Sequence, residues 1–277
     1  MFETTVDNLS THLSDDMGIE NEDLVFLFSG IFGLGKLSEG LLTIEKALEN
    51  VLSKGTVIVP TFSYSWSNGE PFNKQTPCPE MGSFSNFILD LPNYHRTYNP
   101  NFSVSIRKNK FNEDLVNEFL DIGDDCFGKK SIFDKVVNYS KNKRAFILLL
   151  GGAFNDAEYR STFIHYAQQK IGVPHRYVKP FYSPEGGERK ITQLVRCLNE
   201  KELLENKKNI DPKHFNYPIE EDYSLYGKDL ENAEILIKRD FGYYPSRMVS
   251  VKESVNFYME KIKNNPFYCI HKDSLVL

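Results

Sequence analysis

Cysteine, tryptophan and positive charge are all scarce in this chain. It has four Cys and one Trp in 277 residues. Cys78, Cys126, Cys197 and Cys269 are scattered, and no two form a CxxC pair. That pattern excludes a disulfide framework and a cysteine zinc site. With no HxxxH and no HExxH either, no metal is expected. Lys and Arg number 33 against 38 Asp and Glu, for a net charge of −5 and a pI near 5.8. A nucleic-acid binder shows a basic face or stripe; here Lys207-Lys208 lies beside Glu205 and Asp211, so no nucleic-acid partner is expected. No window approaches ~18 consecutive apolar residues, which excludes a helical membrane span. The opening MFETTVDNLSTHLSDDMG is acidic and lacks the basic and apolar regions of a secretory leader. A cytoplasmic location is the expectation.

What is present is an α/β pattern. LVFLF (24–28), GTVIVP (55–60) and RAFILLL (144–150) are short continuous apolar runs, as in strands covered on both faces. Helical spacing of apolar residues predicts helices over 4–17, 36–53, 83–91, 113–121, 131–139 and 252–263. FSVSI (102–106) alternates like a strand. Residues 61–81, rich in aromatics, Ser, Asn and Pro, read as a long functional loop. After Pro174, HRYVKPFYS and KITQLVRCL flank PEGGE, the pattern of an antiparallel hairpin; 199–226 reads as loop-rich. The fold expected is α/β, with a central mixed, largely parallel sheet flanked by helices. It forms one domain over 1–277, with an antiparallel, loop-rich insertion at about 175–226.

Two places carry chemistry. SGIFGLGK (29–36) is nearly a phosphate loop, but Leu37 stands where a magnesium-binding Ser or Thr is needed. Magnesium-dependent nucleotide hydrolysis is therefore the weaker reading. Glycines at such a turn still free backbone amides for a phosphate, and a helix behind it would add its positive end. The second place is RSTFIHYAQQ (160–169). His165 shares a helical face with Ser161, Thr162 and Gln169. It follows the central strand, where open α/β sheets bind ligands. An imidazole suits proton removal near neutral pH, and Asp156 or Glu158 could orient it. Tyr64 and Trp66 suit stacking on a sugar. Glu80, Glu158 and the run Glu220, Glu221 and Asp222 are acids that could meet a cationic amine, though such runs are usually solvated.

Several stretches together resemble the aminoglycoside 3-N-acetyltransferase family: LFSGIFGLG (27–35), KGTVIVPTFSYS (54–65), PEMGSFSNFI (79–88), HRTYNPNFSV (95–104), FGKKSIFDKV (127–136), LLLGGAFNDAEYRSTFIHYAQ (148–168) and GYYPSRMVSVKESVNFYMEKIKNNPF (242–267). The resemblance implies transfer of acetyl from acetyl-CoA to a small-molecule amine. It implies that Ser29, Gly30, Ile31, Phe32, Gly33 and Leu34 hold the CoA pyrophosphate, with Ser103 beside the pantetheine or phosphate portion. Thr61 would sit near the thioester, and His165 would be the general base. Two departures stand out. Gln168 replaces the family's usual Glu, and the frequent Arg-Ser-x-His-Pro reads Arg96-Thr97-Tyr98-Asn99-Pro100. With the acid at 168 gone, the implied acceptor is a single amino sugar, free or nucleotide-linked, for a surface polysaccharide; an aminoglycoside is the alternative, and a non-catalytic CoA- or sugar-binding homologue the next. The expected route is direct attack, with Thr61 or backbone amides meeting the oxyanion. A Cys78 acyl-enzyme is the competing route.

Overall fold

The computed structural model describes residues 1–153, 161–207 and 210–276. Its elements run β1 (Glu3–Thr4), α1 (Val6–Thr11), a π-helical turn (His12–Asp16), β2 (Leu24–Ser29), a 3-10 turn (Ile31–Leu34), β3 (Lys36–Leu41), α2 (Leu42–Val51) and β4 (Thr56–Pro60). Next come α3 (Gly82–Phe87), β5 (Tyr94–Arg96), β6 (Val104–Arg107), α4 (Glu113–Leu120), α5 (Ile132–Tyr139) and β7 (Ala145–Leu150). The rest comprises α6 (Phe163–Ile171), the hairpin β8 (Arg176–Tyr182) and β9 (Lys190–Arg196), α7 (Glu200–Asn206), α8 (Ser224–Asn232), β10 (Ile237–Arg239), β11 (Ser246–Ser250) and α9 (Val251–Asn264).

A seven-stranded sheet in the order β10-β11-β7-β2-β4-β6-β5 organises the molecule. Its centre explains the apolar runs. In β2, Leu24, Phe26 and Phe28 pack on one face with α5, α6 and α9, while Val25 and Leu27 pack on the other with α1 and α2. The sheet is mixed as expected, but less parallel than expected. Only β2 with β4 and β2 with β7 are parallel pairs; β11, β10, β6 and β5 are added antiparallel. Strands as short as β5 and β10 carry no sequence pattern that sets their direction.

The helix expected over 36–53 divides. Residues 36–41 form β3, which pairs parallel with β1, and the helix starts only at Leu42. Gly40, at φ +60°, sits where a helix would need a negative φ. The hairpin after Pro174 is present in seven paired positions from Arg176↔Arg196 to Tyr182↔Lys190. The loop-rich 199–226 nevertheless holds α7 and the first turn of α8. Among the described residues no helix is long and apolar enough to cross a membrane.

The parallel strands end together at Ser29, Pro60 and Leu150. From that edge leave the glycine turn, the 61–81 loop and Gly151-Gly152, and beyond the last of these comes α6. Both expected sites therefore fall at one end of the sheet.

Candidate active site

Two glycine turns lock against each other at that edge. Gly30 N–H donates to the Leu150 carbonyl at 2.8 Å. A Cβ on Gly30 would lie 2.6 Å from the Gly151 carbonyl oxygen, and one on Gly152 would lie 2.8 Å from the Tyr244 ring. No side chain fits at either point, and Gly152 also holds φ +74°. The result is an open cradle of about 570 Å³, lined by Ser29 to Gly33, Gly82 and Ser83, Gly151 and Gly152, and Tyr244. Phe32 projects from its rim, 94% exposed. The helix dipole expected behind the turn is missing, because a 3-10 turn and β3 follow the glycines instead. Leu34 is fully buried in the core, and its carbonyl accepts from Thr4 Oγ1.

A second cavity of about 580 Å³ adjoins the cradle. Phe28 and Met81 line this cavity, while their chain neighbours Ser29 and Gly82 line the cradle, so the two lie close together at 28–29 and 81–82. His165 and Ser161 form part of its surface, Tyr64, Phe102 and Glu80 another, and Gln193, Arg196 and Glu221 the side toward the hairpin. Tyr64 sits at φ +53°, a conformation that costs a bulky residue about 1–3 kcal/mol and concentrates at functional sites. Its ring stands edge-on to Phe102 at 5.2 Å, which fixes it on the cavity wall.

The polar wall is a chain of side chains. His165 Nδ1 lies 3.0 Å from Gln168 Oε1. Gln168 Nε2 donates to Glu221 Oε1 at 2.7 Å and to the Tyr258 hydroxyl at 3.2 Å. Glu221 also accepts from His175 Nε2 at 3.0 Å and from Arg176, whose Nε is 3.0 Å away. Burial raises a carboxyl, but Arg176 and His175 outweigh it and hold Glu221 well below the usual carboxylate range. Burial keeps His175 below the ordinary histidine value despite that carboxylate. Ser161 is 2% exposed, and its hydroxyl has no hydrogen-bond partner among the described residues.

Other expected residues lie elsewhere. Thr61 and Ser103 are fully buried and line neither cavity. Ser103 Oγ donates to the Thr61 carbonyl at 2.6 Å and accepts from Arg96 Nε at 3.0 Å. Arg96 also donates to the carbonyls of Thr61, Lys74 and Thr76 and stacks on Phe72. Burial pulls this guanidinium down to about 10. Thr61, Ser103 and Arg96 thus pin the 61–81 loop to the sheet. Trp66 is buried with Arg189 over its ring at 5.4 Å, and is not on the cavity. Gln168 is fully buried one step behind His165. Cys78 is fully buried, and burial raises its thiol to about 11, which leaves almost no thiolate at neutral pH. Asp156 and Glu158 lie outside the described residues.

Glu221 belongs by sequence to an acid run of the usually solvated kind, yet its side chain is only 5% exposed. A signal was present: Phe215, Tyr217, Ile219, Glu221 and Tyr223 recur at every second residue, which puts Glu221 on the inward side of an extended segment.

A model of the aminoglycoside 3-N-acetyltransferase family matches residues 28–263. Among solved structures, the aminoglycoside acetyltransferase AAC(3)-IVa is similar in its apoenzyme form and as a mutant in complex with a gentamicin. Identity is 17% in both, with TM-scores of 0.73 and 0.72, covering 98% of this chain and 93% of that one. A binary complex of AAC-IIIb with CoASH matches at 18% identity and TM-score 0.67, covering 95% of this chain and 97% of that one. The YokD protein from Bacillus subtilis matches at 18% identity and TM-score 0.67, covering 96% and 95%. At these identities the structural likenesses establish the fold. No curated protein matches.

Proposed function

Because the chain belongs to the aminoglycoside 3-N-acetyltransferase family and is an acetyl-CoA-dependent acyltransferase, we propose that it acetylates the amine of a small amino sugar, with His165 as general base. The single observation that carries this reading is the closeness of the glycine cradle to the His165 cavity, which are lined by consecutive residues at 28–29 and 81–82. With a diphosphate held by backbone amides of the cradle, the thioester would reach toward the cavity, where an amine would meet it. A solved relative carries CoASH.

The step balances without a covalent enzyme intermediate. The amine nitrogen bonds to the thioester carbon, His165 takes a proton from that nitrogen, and collapse of the tetrahedral adduct breaks the C–S bond. The thiolate leaves and receives the proton back from the imidazolium. General-base help is worth roughly 10²–10⁴-fold, and holding the two reactants together supplies up to ~7–11 kcal/mol. Thr61 is sealed in the sheet, so the Ser161 hydroxyl, on the cavity wall, is the side-chain donor proposed for the oxyanion.

Acceptor choice follows from charge. Among the described residues lining the cavity, the acids are Glu80 and Glu221 and the guanidinium groups are those of Arg176 and Arg196. The Glu221–Arg176 pair is mutually neutral, which leaves one acid and one base. A polycation prefers several unpaired carboxylates, whereas an acceptor with one ammonium group and an anionic or neutral remainder suits this wall. A second reading, an aminoglycoside acceptor, is favoured by the solved relative that carries a gentamicin. Release of free thiol from acetyl-CoA, measured with simple amino sugars, nucleotide-linked amino sugars and aminoglycosides, decides between them. The expected result is highest kcat/KM in one of the first two groups. A preference for aminoglycosides selects the second reading, and absence of thiol release with all three ends the acceptor assignment.

A further inference from the structure

Position 168 holds an amide, and a carboxylate, Glu221, lies one hydrogen bond beyond it. An ionised carboxylate can only accept, and Glu221 is also engaged by Arg176 and His175. This leaves the Gln168 amide one orientation. Turned over, its Oε1 would stand against a Glu221 oxygen at the 2.7 Å now spanned by an N–H donor. Its Oε1 must therefore face His165 Nδ1, 3.0 Å away. An amide oxygen also only accepts, so Nδ1 of the neutral ring carries the proton and Nε2 carries the lone pair.

We infer that Gln168 and Glu221 are positioning residues, forming a relay in which a fixed negative charge on the extended 215–223 segment sets, through a buried amide, the tautomer of His165. The inference rests on the reading of His165 as the base. The relay differs from a carboxylate in direct contact in one respect. A neutral amide separates the ring from Glu221, whose charge already faces Arg176 and His175. The relay orients the imidazole but stabilises the imidazolium less than a touching carboxylate would. Around the ring, Glu80, Arg176, Arg196, Glu221, Tyr64 and Tyr223 line the same cavity, and Phe127 packs edge-on at 5.5 Å.

Nitrogen-15 spectra of the full-length protein labelled at histidine, with the His165 signals assigned by loss in His165→Gln, read the tautomer directly. Above the ring's titration, the expected signals are a protonated Nδ1 and a lone-pair Nε2. A proton on Nε2 overturns the relay. The exchange variant Gln168→Glu/Glu221→Gln places the carboxylate against the ring. The acid limb of its kcat/KM profile is expected to rise by about one pH unit or more, and an unmoved limb overturns the inference. Should the exchange variant fail to fold, the wild-type spectrum decides alone. Full turnover in His165→Ala would remove the base reading, while the tautomer would still decide the relay.

Discussion

His12 sits between an acid and a hydroxyl, with Nδ1 2.9 Å from Asp16 Oδ2 and Nε2 2.9 Å from Ser246 Oγ. By bond pattern it matches a hydrolytic triad better than His165 does, whose Nδ1 meets an amide. Yet His12 is 1% exposed, Ser246 is fully buried, and Phe241 stacks on the ring at 4.4 Å. His165 is partly open on a cavity that adjoins the glycine cradle. A triad of contacts therefore does not define a site: the ring must also have a reactant's volume in front of it. In the His12 cluster the hydrogen bonds satisfy a buried imidazole beneath the sheet. In the His165 cluster they hold a ring on a cavity wall.

Paired alanine substitutions give the largest separation. His165→Ala is expected to lower kcat by 10²-fold or more, within the general-base range, and to leave the fold intact. His12→Ala is expected to leave kcat within a few-fold but to lower unfolding free energy by roughly 2–4 kcal/mol, since it opens a cavity and strands the Ser246 hydroxyl. Steady-state kinetics and urea unfolding of both variants check this. Equal losses of kcat in the two would erase the distinction.

Acid sensitivity separates them next. Burial holds His12 below the ordinary histidine value of 6.5, against the pull of Asp16. The unfolded chain takes up a proton near 6.5 and the folded chain does not. The contribution is thus complete above 6.5 and is lost as pH falls through 6.5 toward the lowered native value. His175 behaves alike. Glu221 acts in a different window: its depressed carboxyl stabilises the fold above about 4.5, and that contribution is lost only as pH falls further. Unfolding measured from pH 7.5 to 5.5 should fall more steeply in the native chain than in His12→Gln. Parallel slopes would mean that His12 does not titrate on unfolding.

The same contrast shows what could be read without a structure. The three central strands were legible because continuous apolar runs demand cover on both faces, and Leu24 to Phe28 supply it. His165 and the glycine turns were legible because each follows such a strand. Glu221 was not, because its meaning comes from Arg176, 45 residues away, and from Gln168, 53 residues away. Thr61 and Ser103 were misplaced for a related reason. A hydroxyl after a strand can face a ligand or a neighbouring guanidinium, and only Arg96 decides which. The missing helix behind Gly35 was hidden by β1, since a two-residue strand 33 positions upstream pairs with Lys36 and Leu37.

The smallest effect is the most discriminating. Asp16→Asn keeps an oxygen for His12 Nδ1–H and removes only a charge whose side chain is 55% exposed. His12 would then have an amide partner, as His165 already has in Gln168. Near pH 7.5, where the ring is neutral, the cost should stay below about 1 kcal/mol, the size of a net hydrogen-bond contribution, because the tautomer survives. Near pH 5.5 the variant should lose more stability than the native chain, since removing Asp16 removes an influence that raises the His12 value and so widens the gap to the unfolded state. Urea unfolding at the two pH values measures the difference. A large loss already at pH 7.5 would show that charge, rather than an accepting oxygen, holds a ring in place here. A charge requirement at His12 would also count against an amide orienting His165, whereas its absence would show within this same chain that an amide suffices.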